Sequence, residues 1–61
     1  MTDLQEKTLQ QMYDKYLQTG VNDWQAIDTS VGKQLVSLGL VTGNVLGEFQ
    51  LTGSGIAQMS K

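Results

Sequence analysis

"LVSLGLVTGNVLGEFQLTGSG", from Leu35 to Gly55, decides how this chain is read. It opens as the end of a helix: Val31, Leu35 and Leu38 fall at i, i+4 and i+7, which turns one apolar face inward. Thr29 or Ser30 is the expected cap of that helix, and Gly39 its stop. A glycine in the left-handed conformation turns the chain back on itself, so Leu40 returns onto Leu35 as a hydrophobic clamp. Beyond Val41 the period changes. Phe49 and Leu51 alternate with Glu48 and Gln50 as a half-buried strand, and Leu40 to Thr42 is its partner across the turn region Gly43 to Gly47. Thr52 then opens a last helical turn, from which Ile56 and Met59 fold back over the core.

Upstream, Thr2-x-x-Gln5 and Asp3-x-x-Glu6 both have the reciprocal spacing that satisfies the free N–H groups of a helix start. Leu9, Met12, Tyr13, Tyr16 and Leu17 follow on one face, Asp3 and Lys7 stand four apart in the favourable order, and Gly20 supplies the stop. The result is an amphipathic helix of about four turns. Between it and the next helix, Asn22 can cap and Gln25 can reach back, which predicts a short helix over Asn22 to Asp28 with Trp24 and Ile27 turned to the core. Leu9, Met12, Tyr16, Trp24, Ile27, Val31, Leu35, Leu38, Leu40, Phe49, Leu51 and Ile56 form the expected core. Gly32, early in the helix, is a weak helix former that fits a close approach by another backbone or no packing role at all.

This order of elements resembles the winged helix-turn-helix domain, most closely the MarR-like type. The likeness lies in Leu35 to Val41, similar to the end of a recognition helix entering the first wing strand, and in "EFQLTGSG", similar to the second wing strand and the Leu-Thr-x-x-Gly step that leaves it. It implies a small α+β domain, mainly helical, over residues 1–61, with three helices, a two-stranded hairpin wing and a short C-terminal helical turn. It further implies that Ser30 to Leu38 is the recognition helix, with Ser30, Lys33, Gln34 and Ser37 facing a major groove, and that Thr42 to Glu48 is the wing. The implied role is a regulator of transcription.

Composition sets limits on that role. The 61 residues carry six acidic and four basic side chains, a formal charge of -2, and every basic residue is lysine. Affinity for nucleic acid leans on phosphate neutralisation and base readout on arginine forks, so DNA contact is expected to be weak or assisted by a partner. On the expected reading helix, Gln34 can pair with adenine and Lys33 can donate to guanine. With neither His nor Cys, catalysis would need carboxylate pairs or a serine with a lysine base. Asp23 and Asp28 are spaced for helix ends, Ser30 and Lys33 have no oxyanion hole beside them, and Gly39, Gly43 and Gly47 follow a helix rather than precede one. The expectation is a protein that is not an enzyme and uses no cofactor, metal or small-molecule ligand. No apolar run reaches the length of a membrane span and the first residues lack signal-peptide features, which points to a cytoplasmic location.

Val45 and Leu46 stand out at the Gly-flanked turn, where tip residues facing water are ordinarily polar. Either a bulge near Gly47 turns one of them inward to pack near the end of the helix, or the pair is a contact surface for a protein partner or a second copy in a homodimer. The alternative function is therefore a protein-interaction module on a winged-helix scaffold that does not bind DNA.

Overall fold

A computed structural model describes residues Met1 to Ser60. The first helix, α1, spans Asp3–Thr19, and both of its ends follow from local chemistry. At its start the Thr2 hydroxyl accepts from the Gln5 N–H at 3.2 Å, while Gln5 Oε1 accepts from the Thr2 N–H at 3.0 Å. At its end Gly20, at φ +74°, donates to the Tyr16 carbonyl at 2.9 Å. Leu9 and Met12 are fully buried and Tyr13 and Tyr16 pack beside them, but Leu17 is 60% exposed.

The segment from Asn22 to Asp28 is not helical. Gln25–Ala26 form a short strand, β1, because the polar groups that could have capped a local helix bond to distant backbone instead. The Asn22 amide donates to the Leu51 carbonyl at 2.9 Å, Gln50 donates to the Asn22 carbonyl at 2.6 Å, and Gln25 donates to the Met12 carbonyl at 3.1 Å. Trp24 consequently lies 41% exposed instead of anchoring the core. Gly20 to Asp28, with its strand, is also unlike the 3–4-residue turn that joins a helix-turn-helix pair.

The second helix, α2, spans Thr29–Ser37, and its N-cap is Asp28, whose carboxylate accepts from the Val31 N–H at 3.1 Å. Its exit has the glycine geometry expected: Gly39 at φ +75° donates to the Val36 carbonyl at 2.9 Å, and Leu40 donates to the Leu35 carbonyl at 3.0 Å. Leu40 thereby comes back over the core and Leu38, the C-cap, is left 51% exposed rather than inward. The strands β2, Val41–Gly43, and β3, Glu48–Leu51, form the hairpin, and β1 pairs with the far side of β3. The sheet is therefore three-stranded and antiparallel, in the order β1-β3-β2, where two strands were expected.

The third helix, α3, spans Gly53–Met59. Its N-cap Thr52 accepts from the Gly55 N–H at 3.1 Å and donates to the Gly39 carbonyl at 2.7 Å. The Leu-Thr-x-x-Gly step thus has a physical basis: Leu51 is buried, Thr52 ties the helix start to the α2 exit, and a Cβ on Gly55 would collide with the Leu40 carbonyl oxygen. One cluster of Leu9, Met12, Val31, Leu35, Val41, Phe49 and Leu51 forms the centre, with Tyr13, Tyr16, Ile27, Leu40, Ile56 and Met59 packed around it. Val41 joins it through its cross-strand pairing with Leu51. Gly32 is buried directly under the Phe49 ring, so the close neighbour there is an aromatic side chain, not backbone. The fold is a small, mainly helical α+β domain with three helices and this sheet.

Candidate contact surface on α2 and the hairpin

The hairpin turn is organised by one side chain. Asn44 Oδ1 accepts from the N–H groups of Leu46 and Glu48, each at 3.0 Å, and its Nδ2 donates to Glu48 Oε1 at 3.3 Å. The Asn44 N–H donates to the Glu48 carbonyl at 3.0 Å, the Gly47 N–H donates to the Asn44 carbonyl at 3.3 Å, and Gly47 takes φ +78°. A turn closed by a left-handed glycine is a common three-residue hairpin loop with a bulge. The bulge does not bring the tip inward. Val45 is 101% exposed and Leu46 79%, so neither side chain packs on the domain.

Below the tip lies an open cleft of about 480 Å³ between α2 and the hairpin. Its α2 wall carries Thr29, Lys33, Val36 and Ser37, and its floor is the paired Gly43 and Phe49. Gly43 keeps the floor open, since a Cβ there would stand 3.2 Å from the Phe49 ring. Lys33 is the one charged side chain among the lining residues.

All four α2 residues singled out in the sequence are exposed, but they do not act as one group. Lys33 and Ser37 line the cleft, while Ser30 and Gln34 do not. Gln34 Oε1 accepts from Gln5 Nε2 at 2.6 Å, which ties it to the start of α1. At the other end of α2 the Asp28 carboxylate occupies the helix N-terminus, where a phosphate would otherwise be favoured. Val36, 42% exposed, adds apolar surface to the cleft wall that sequence periodicity had placed on neither face. The signal that could have found the cleft is Gly43 opposite Phe49 in the hairpin register, visible once Leu51 is paired with Val41.

Comparison with protein-family models, curated proteins and solved structures finds no match to this chain. No helix among the described residues is long and apolar enough to cross a membrane.

Proposed function

We propose that this chain is a small regulatory domain on a winged-helix-like scaffold that works by protein contact through its hairpin tip. The observation that carries this reading is the joint exposure of Val45 and Leu46, at 101% and 79%, on a turn held in shape by the Asn44 side chain. Single exposed apolar residues are ordinary, but an adjacent pair held out at a tip is surface suited to desolvation by a partner. The regulatory part of the reading rests on the MarR-like resemblance. A cytoplasmic location accords with it.

A second reading, weak or partner-assisted binding of double-stranded DNA, is favoured by the exposure of Ser30, Lys33, Gln34 and Ser37 along α2. Two features weigh against it. The net charge is -2, and the Gln34 carbonyl that would pair with adenine already accepts from Gln5, which orients it towards α1. Titration of mixed-sequence duplexes at low ionic strength separates the two. The contact reading expects no salt-dependent binding. The DNA reading instead expects Gln34→Ala to relax preference at one base by about 1–3 kcal/mol, and Lys33→Ala to weaken all sequences and flatten the salt slope.

A further inference from the structure

We infer that the partner met by the hairpin tip is a second copy of this chain, each tip entering the other copy's cleft; this rests on the contact reading above. Chemistry and placement both lead there. The tip is an apolar pair with a carboxylate, Glu48, just beyond it, and the cleft offers the exposed apolar surface of Val36 above the edge of the otherwise buried Phe49 ring, with one cation, Lys33. Knob and hole match in polarity and in charge.

They are also on one face. Val45 and Leu46 stand between Asn44 and Gly47, both of which line the cleft, so a two-fold axis beside the tip allows both insertions at once. A self-complementary patch of this kind closes as a pair and does not propagate. The faces of the hairpin fix where the charges go. The Phe49 ring packs on Gly32 of α2, so by strand alternation Glu48 lies on the opposite face. A hairpin entering between α2 and the hairpin of the other copy, while its own cleft receives the other tip, turns that opposite face towards the other copy's α2. Glu48 of each copy then approaches Lys33 of the other. The acidic balance of the remaining surface opposes closer association, and a tip in a cleft covers less than the about 800 Å² per partner of a standard interface. The dimer is weak and reversible.

Sedimentation velocity and light scattering on the purified chain, from about 1 µM to 1 mM, test this directly. The mass should rise with concentration from 6.7 kDa towards twice that value. Val45→Ser with Leu46→Ser should stay monomeric with a thermal midpoint within a few degrees of the parent. Lys33→Glu and Glu48→Lys should each weaken association by about tenfold or more, while an equimolar mixture of those two variants should associate, because both cross-pairs are then opposite in sign. Thermal melts of each variant separate lost folding from lost association. A wild-type chain that remains monomeric at 1 mM, or folded charge variants that fail to associate when mixed, would overturn the dimer. A photo-crosslinking residue in place of Leu46, in the cells that make the protein, distinguishes this from failure of the contact reading. Adducts of twice the chain mass support the dimer, adducts only with a different protein leave contact standing without it, and no adduct removes both.

Discussion

Gly32→Ala tests the packing on which the cleft and the hairpin both depend. In a solvent-exposed helix interior the change would stabilise by about 1 kcal/mol, since alanine is the best helix former and glycine among the worst. Here the new methyl would occupy space held by the Cζ and Cε edge of Phe49, a ring only 5% exposed. The ring cannot move deeper, because Val31 and Leu35 belong to the same buried cluster. Its open side is the cleft, and movement that way returns apolar surface to water. Overpacking of a closed core costs about 1–3 kcal/mol, which set against the helix gain leaves a net loss of up to about 2 kcal/mol. For a domain of this size that lowers the thermal midpoint by up to about 16 °C. Urea or thermal unfolding measures the loss, and a double-mutant cycle assigns it: in a Phe49→Leu background, Gly32→Ala should be neutral or stabilising. A rise in the midpoint of Gly32→Ala alone would refute the contact between ring and helix.

Leu35→Ala should cost about 2–5 kcal/mol, enough to unfold much of so small a domain, whereas Leu38→Ala, at the exposed C-cap, should stay within about 0.5 kcal/mol; equal effects on melting would contradict the exit geometry of α2. Gly55→Ala should destabilise more than Gly53→Ala in urea unfolding, because a Cβ meets the Leu40 carbonyl at the first site and nothing at the second. Thr52→Ala should cost about 0.5–2 kcal/mol through the lost cap of α3, read by the same assay.

What could be read from the chain is what short spacing controls. The Thr2–Gln5 box, the Gly20 and Gly39 exits, the Thr52 cap and the Val41–Leu51 pairing all close within a dozen residues, and each depends on a side chain's chemistry at a fixed offset. Asn22 to Asp28 departs from its local pattern because its deciding bonds are long. Asn22 and Gln50 link this segment to β3 across 28 and 29 positions, so a locally plausible cap lost to backbone partners that the sequence does not bring near. Leu38 departs from its spacing for a different reason. Its spacing fits the inward face, but the clamp that returns Leu40 onto Leu35 fills that place first.

Spacing does not decide the tip, since an inward bulge and an exposed pair are written with the same residues. Asn44 decides between them. By accepting from both Leu46 and Glu48, its side chain fixes the backbone of the turn in a form that satisfies itself, and Gly47 completes the bulge without strain. Nothing in that arrangement draws Val45 or Leu46 towards the domain. With both tip side chains standing clear of the domain, whatever binds there gains from apolar burial, with Lys33 and Glu48 providing orientation. A phosphate backbone offers the opposite: charge to be neutralised and little apolar surface. The same asparagine that fixes the hairpin therefore biases the tip towards protein, and the charge-swap mixture asks whether that protein is another copy of this chain.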